Sequence, residues 1–487
     1  MAKKITIDPI TRLEGHGKIE IFLDDDGNCK NAYLQIPELK GFEQFAIGRP
    51  VEEMPRITPR ICGVCPMAHH MAATKAADAV YGVTPTDTAR KLRELVYNAY
   101  IFEDHVLHFY FLGGPDFVVT PQAPKAERNI LGVIGKVGIE MGKTVIGIRK
   151  KTRDIVTHLM GRIIHPVGGL PGGVSKPLSE EKRVEFLAWA NDALEFSKLS
   201  IQVFNDVVLA NNAYVDLVVG DIYKHETYYM GLVDDNNKVN FYDGHIRVVD
   251  PSGKEMARFD GQDYLKHIAE HVEPWSYMKF PFLRDIGWHG FEDGPDSGIY
   301  RVAPLARLNV ADGMATPLAQ AEAERMFEIL GGKPAHNTLA FHWARLIEVM
   351  QAAEAMVRLL EDESITSPDI RNIPTTTPSE GVGVVEAARG TLIHHYKTDD
   401  NGIMTACNLI VATVNNSSAM SMSIAKAAKR LIRDGKVDDG ILNMVEMAFR
   451  PYDPCMACAC HTLPGRMPLV VNLRDTQGNL LREVRRD

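Results

Sequence analysis

Cys62-Gly63-Val64-Cys65 and Cys455-Met456-Ala457-Cys458 are the residues of this chain best suited to chemistry. The 487-residue sequence has only 7 cysteines, and four of them fall in these two Cys-x-x-Cys pairs. Each pair can clamp one side of an ion, and two pairs together make a four-sulfur site for a soft or borderline metal. A structural zinc knot is the plain alternative. Zinc ribbons, however, keep both pairs close in sequence, because the metal stabilises a small local unit. Here the pairs stand near opposite ends of the chain, so the fold itself has to bring them together. Arg60 and His69 flank the first pair closely enough to hydrogen-bond a thiolate, and His461 follows Cys458 by three positions. Such neighbours tune a reactive metal.

The elements that must position these residues follow from periodicity and turn chemistry. The first sixty residues read as β-rich: 5–7 and 17–23 alternate, and Asp24-Asp25-Asp26-Gly27 turns the chain into 32–36. After the first pair the pattern is helical, at 71–80, 87–112 and 126–158, the last open to a break. Ser179-Glu180-Glu181 offers a capping hydroxyl and first-turn acids to a helix running to position 208. Residues 215–305 change character, with strand-like stretches at 215–219, 238–242 and 245–249 joined by Asp-Gly, Asn-Asn and Pro-Ser-Gly turns. Helical periodicity returns at 318–330 and 337–361, and 364–379 is a polar loop rich in Pro and Thr. β-like passages at 381–396 and 403–412 then lead to a helix at 418–434. Gly168-Gly169-Leu170-Pro171-Gly172-Gly173 lacks the Gly-Lys-Ser/Thr of a phosphate loop and reads as a turn.

These readings give an α+β fold, mainly helical, with both cysteine pairs meeting at its centre. Its parts are an N-terminal β-rich region (1–60), a helical core in two halves (61–214 and 306–461) carrying one pair each, a β-containing insertion (215–305) and a C-terminal extension (462–487). Composition is that of an ordinary globular chain, 45% hydrophobic and 24% charged. A net charge of −9 with dispersed Lys and Arg excludes a nucleic-acid footprint. No apolar run approaches the roughly 20 residues that span a bilayer, and the N-terminus has no apolar leader. Sparse cysteines without an export signal fit a reducing cytoplasm.

Arg60-Ile61-Cys62-Gly63-Val64-Cys65 followed by His69, and Asp453-Pro454-Cys455-Met456-Ala457-Cys458 followed by His461, resemble the large subunit of nickel–iron hydrogenases. The resemblance runs along most of the chain. Asp8-Pro9-Ile10-Thr11-Arg12-Leu13-Glu14-Gly15-His16, Lys40-Gly41-Phe42-Glu43, Asp104-His105-Val106-Leu107-His108-Phe109-Tyr110 and Glu386-Ala387-Ala388-Arg389-Gly390 carry it in order.

The resemblance implies reversible heterolytic cleavage of H2. It implies that all four thiolates bind nickel, with Cys62 and Cys455 terminal, and that Cys65 and Cys458 bridge to an iron carrying CO and two cyanides. Arg389 would lie over the metals, Asp104 near the same pocket, and Thr413, beside Ala412, would donate to a cyanide. Glu14 would take the proton from Cys455; on the residues alone it reads first as an ion-pair partner of Arg12. Glu43, His461 and the carbonyl near Leu409 match a second metal position, Mg2+ or Fe2+. His105 and His108 read as structural.

Many members of the family it resembles have Pro before the cyanide-binding Ser or Thr, where this chain has Ala412-Thr413. That variant resembles the cytoplasmic multi-subunit branches, above all the F420-nonreducing type feeding heterodisulfide reductase, with NAD- and F420-reducing enzymes as alternatives. An H2 sensor and a quinone-module relative of the respiratory complex share the fold, but the latter lacks both cysteine pairs. Cys29, Cys407 and Cys460 are too few and too scattered to hold an iron–sulfur cluster. The resemblance therefore implies that an iron–sulfur small subunit takes the electrons, with further electron-transfer subunits beyond it. It also implies nickel chaperones and a maturation protease cutting after His461. The residues beyond, from Pro468 to Asn479, read as a β-hairpin.

Overall fold

A computed structural model describes residues 4–460, 469–474 and 480–486. It is the mainly helical α+β fold expected. Helices Asp87–Leu107, Ile139–Met160, Glu180–Phe204 and Phe341–Glu361 pack side by side as its core. Their starts are written in the sequence. Thr86 accepts the Ala89 amide and Ser179 the Lys182 amide, each satisfying an orphan donor of the first turn. The helical run from 126 to 158 is broken at Gly138, between Ile130–Val137 and Ile139–Met160.

Two antiparallel sheets flank this core on the way to the cysteines. The N-terminal sheet joins Lys4–Ile7, Lys18–Leu23 and Cys29–Gln35, and helix Ser417–Leu431 packs on its last strand. The second joins Glu380–Ala387, Gly390–Thr398 and Met404–Ile410, and its first strand lies on helix Pro66–Val80. That contact is backbone to backbone: a Cβ on Gly383 would stand 2.1 Å from the Ala72 carbonyl oxygen. The helix itself begins earlier than the expected position 71. Cys65 caps it and Pro66 occupies its first turn, where a missing N–H costs nothing.

Two expectations in 215–305 fail. Residues 215–219 belong to a helix, Asn212–Val219, because the Asn211 side chain accepts the Ala213 amide and Tyr214 and Val218 bury one helical face. Residues 238–242 make only isolated bridges, Val239 to Val233 and Lys238 to Gly313, since Asn240 Oδ1 captures the amides of Tyr242 and Asp243 in an Asx turn. The sheet there is instead built on Tyr228–Val233, buried at all six positions, with His245–Val249 and Glu255–Phe259 on one side and Tyr300–Arg301 parallel on the other. A continuous apolar run carries no alternation to read. Gly168–Gly173 is a tight turn between two-residue strands, as expected. The tail strands Leu469–Arg474 and Leu480–Arg486 pair antiparallel, as the hairpin reading requires. Among the described residues no helix is long and apolar enough to cross a membrane.

Candidate metal centre

Backbone contacts draw the ends of the chain together before any side chain does. Glu14 forms a parallel bridge with Cys455; its amide donates to Pro454 and its carbonyl accepts from Met456 at 2.8 Å. The Lys40 amide donates to the Cys460 carbonyl at 2.7 Å, and Lys40 Nζ lies 3.3 Å from the Ile61 carbonyl. One lysine thus touches both cysteine segments, which explains the 40–43 motif. Arg12 is held by a buried Asp116, which also receives Arg450. The Arg12–Glu14 ion pair suggested by the residues alone is replaced by this longer-range pairing.

The four sulfurs of Cys62, Cys65, Cys455 and Cys458 all lie within 4.8 Å of one another and are buried. Sγ–Sγ separations are 3.2 Å for Cys62–Cys455, 3.4 Å for Cys65–Cys458 and 2.7 Å for Cys455–Cys458. All exceed the ~2.05 Å of a disulfide. They are shorter than the ~3.8 Å edge of a four-thiolate tetrahedron built on ~2.3 Å bonds. Four soft donors this close suit a cation between them, and their chemistry fits nickel and iron better than a hard ion. The amides of Val64 and Cys65 both donate to Cys62 Sγ at 3.3 Å. Burial raises the Cys455 and Cys458 thiols well above their ordinary range. Burial also opposes ionisation of Cys62, but hydrogen bonds from Cys455, Cys458 and Cys65 outweigh it and hold that thiol well below the usual value.

Glu14 Oε2 accepts from Cys455 Sγ at 2.9 Å and from the Ala457 amide at 3.1 Å. Burial, reinforced by the Cys62 charge, raises its pKa above the ordinary carboxylate value, while the bonds from Cys455 and Ala457 pull it down. Arg389 occupies the two-residue turn between strands 380–387 and 390–398 and is buried. It makes a bidentate pair with Asp104, at 2.9 and 3.1 Å, and lies 3.0 Å from Asp453 Oδ2. Burial pushes Asp453 up to about 7, with Arg389 opposing and Asp104 adding to the shift. Thr413 Oγ1 accepts the Cys455 amide at 3.3 Å, and Ala412 is buried beside it. His69 Nε2 lies 3.7 Å from Cys458 Sγ.

Arg60 departs from expectation: it is exposed, on a surface cleft with Lys40 and Phe42, and the cation facing the sulfurs is Arg389. The Arg60 side chain follows the outward face of the 3-10 turn Thr58–Ile61, whose Thr58, Pro59 and Ile61 point inward. Glu43 Oε1 meets Leu409 at its amide, 2.8 Å away. His461 lies outside the described residues. His105 and His108 are structural: His105 Nε2 bonds Glu348, and His108 Nε2 bonds the Arg450 carbonyl.

Asp453, Arg307 and Glu348 are the residues that sequence reasoning missed. Asp453 stands two positions before Cys455, so its motif position was the available signal. Arg307 bonds both Glu348 oxygens at 2.6 Å and Glu386 at 2.6 Å, and Glu386 accepts the Leu232 amide and Thr391 hydroxyl. This buried network anchors the turn that presents Arg389, and no local signal predicts its pairings.

The fold and a buried four-thiolate centre, with a carboxylate on one sulfur and a guanidinium charge nearby, are those of a metalloenzyme component. A nickel-dependent hydrogenase family model matches residues 40–134 and 144–461, and a HoxL-like model matches 4–39. The chain belongs to the nickel-dependent hydrogenases, as a large subunit. It is 51% identical to an F420-non-reducing hydrogenase iron-sulfur subunit of Archaeoglobus profundus, over 99% of each chain. It is 41% identical to an F420-non-reducing hydrogenase subunit of Methanothermobacter marburgensis, over 99% of this chain and all of that one. Identity to the beta subunit of the NAD-reducing hydrogenase HoxS of Cupriavidus necator is 37%, over 99% of each. Among solved structures, an NAD+-reducing [NiFe]-hydrogenase in the H2-reduced state superimposes with a TM-score of 0.88 at 36% identity, covering 94% of this chain and 99% of that one.

Proposed function

We propose that this chain activates H2 in an F420-nonreducing complex, passing electrons to an iron–sulfur small subunit, then on to a heterodisulfide reductase-type acceptor. The observation that carries the H2 chemistry is Glu14 Oε2 at 2.9 Å from Cys455 Sγ inside the four-thiolate cluster. Cys62, Cys65, Cys455 and Cys458 would hold a nickel–iron pair, which supplies binding and heterolytic splitting of H2. All four thiolates would serve as its ligands, Cys62 and Cys455 on the side facing Glu14 through Cys455.

Glu14 receives the proton carried by Cys455 Sγ. Burial suits it, because a carboxyl raised above its ordinary pKa holds a proton taken from the thiol more readily than an exposed one. Arg389, permanently charged and clamped by Asp104, keeps a fixed positive charge beside the sulfurs. Thr413 and Ala412 would line the side of the iron's CO and cyanide ligands, and Glu43 and Leu409 would help hold a magnesium ion with His461. Gly63 is exposed, and with Val64 and Ile164 it lines a cleft of about 190 Å3 directly outside the first pair. Exposed Leu131, Ile139, Ile146 and Ile164 add apolar surface suited to a partner protein.

The higher identity to F420-non-reducing than to NAD-reducing relatives supports this choice of acceptor. The test is anaerobic purification with copurifying subunits, elemental analysis, and H2-dependent reduction of viologen, heterodisulfide, NAD and F420 in parallel. Nickel and iron with viologen and heterodisulfide reduction are expected, lost in Cys65→Ser. Zinc without nickel in processed protein, or activity retained by Cys65→Ser, would overturn the reading.

A further inference from the structure

We propose that His394 and Tyr396 are positioning residues for the Cys458 thiolate, acting through His69 as one directed chain of hydrogen bonds. The inference rests on Cys458 being a metal ligand.

The chain of bonds is continuous. Tyr396 Oη lies 2.6 Å from His394 Nδ1, His394 Nε2 lies 3.1 Å from His69 Nδ1, and His69 Nε2 lies 3.7 Å from Cys458 Sγ. Tyr396 and His394 are fully buried, and His69 and Cys458 are each 1% exposed. Strand alternation sets the placement. His394 and Tyr396 share one face of strand 390–398, toward helix 66–80 and its His69, while His395 between them turns away to Tyr264 and Glu380.

Proton accounting gives the chain its direction. A metal-bound thiolate is an acceptor, so His69 Nε2 carries the hydrogen that faces Cys458. For a neutral ring, His69 Nδ1 is then bare and takes the hydrogen on His394 Nε2. His394 Nδ1 is bare in turn and accepts the phenol of Tyr396, which burial keeps protonated. Each bond polarises the next, so the phenol strengthens the N–H···S contact three links away. A metal-bound histidine is oriented by its outer partner in the same way. Here the histidine pair orients a sulfur, and draws electron density from it.

The experiment uses the holoenzyme complex with Tyr396→Phe, His394→Phe and His394→Gln. Tyr396→Phe and His394→Phe are expected to shift the infrared CO band to lower wavenumber and to lower kcat roughly tenfold, with KM for H2 unchanged. His394→Gln, which keeps one donor and one acceptor, is expected to restore most of both. Wild-type bands and turnover in both Phe variants would overturn the proposal. A second measurement needs no turnover: nitrogen NMR of the metal-loaded, histidine-labelled complex in a diamagnetic state should find His69 protonated on Nε2. Protonation on Nδ1 would overturn the proposal even if the variants failed to fold. Were Cys458 not a ligand, nickel and the CO band would be absent from wild type and variants alike, which tells that failure apart from the loss of the hydrogen-bond chain.

Discussion

Glu14 and Cys455 are joined along the backbone as well as through their side chains. The parallel bridge between them fixes two strand-like segments from opposite ends of the chain, and the carboxylate–thiol contact at 2.9 Å is a consequence of that register. The acid therefore does not find its sulfur by side-chain flexibility. It is delivered there by main-chain hydrogen bonds to Pro454 and Met456.

Replacing Glu14 by Gln separates basicity from geometry. The amide oxygen can still accept the Ala457 amide, but the side chain no longer takes a proton from Cys455 Sγ. H2 oxidation is expected to fall by about 10²–10⁴-fold, the range for losing a positioned general base. Nickel content and melting temperature should match wild type. More than half of wild-type turnover in Glu14→Gln would remove Glu14 from the proton path.

Gly15 tests the register itself. It sits at φ +81°, and a Cβ there would stand 2.8 Å from the Ala457 nitrogen. Left-handed backbone alone costs a non-glycine residue roughly 1–2 kcal/mol, and the clash adds to it. Gly15→Ala is expected to lower stability by about 2 kcal/mol or more and to reduce nickel loading. Urea unfolding and elemental analysis check both. Full metal content at unchanged stability would show that the bridge tolerates displacement.

Arg389 balances two buried carboxylates. Arg389→Met would leave Asp104 without its bidentate partner and Asp453 with Arg345 as its remaining cationic neighbour, and breaking a buried pair from one side costs about 3–5 kcal/mol. Arg389→Lys should cost less, since it keeps the charge and loses only the bidentate geometry. Adding Asp104→Asn to Arg389→Met should recover part of the loss. Urea midpoints of the metal-free variants measure the series, and equal stability of Arg389→Met and wild type would contradict the balance.

The sequence makes some of this centre legible and hides the rest for physical reasons. Cysteine spacing and the Ser179 cap are local features, read from neighbouring residues, whereas the turn at Ala388-Arg389 interrupts what reads as one β-like passage over 381–396. By resemblance, Glu14, Asp104 and Arg389 fall within motifs; the fold sets Glu14 on Cys455 Sγ and pairs Asp104 with Arg389. The pairing of Arg389 with Asp453 does not follow from either, because it depends on two distant segments meeting. Arg307 with Glu348 and Glu386 is hidden for the same reason: three unremarkable charged residues become a network only when buried together. At 215–219 the valines Val215, Val218 and Val219 mislead, because one capping asparagine and tertiary burial override strand propensity.

Stability toward acid provides the last test. Burial lowers His70 and His105 to about 4 and His342 to about 3, against an ordinary value of 6.5. A lowered histidine is neutral in the folded chain while the unfolded chain takes up the proton. Its contribution is therefore complete above pH ~6.5 and is lost as pH falls toward its folded value. Each such group gives a slope of about 1.4 kcal/mol per pH unit within that window. Asp453, raised to about 7, acts in the opposite sense and offsets one of them. His342 isolates the effect, because its Nδ1 is buried with no hydrogen-bond partner among the described residues and an apolar replacement leaves little unsatisfied. His342→Leu is expected to flatten the stability slope between pH ~6 and pH ~4.5 by about 1.4 kcal/mol per pH unit, seen as a smaller drop in urea midpoint than wild type shows. Parallel slopes for the two proteins would mean that His342 titrates alike in the folded and unfolded chains, and that its burial has no part in acid unfolding.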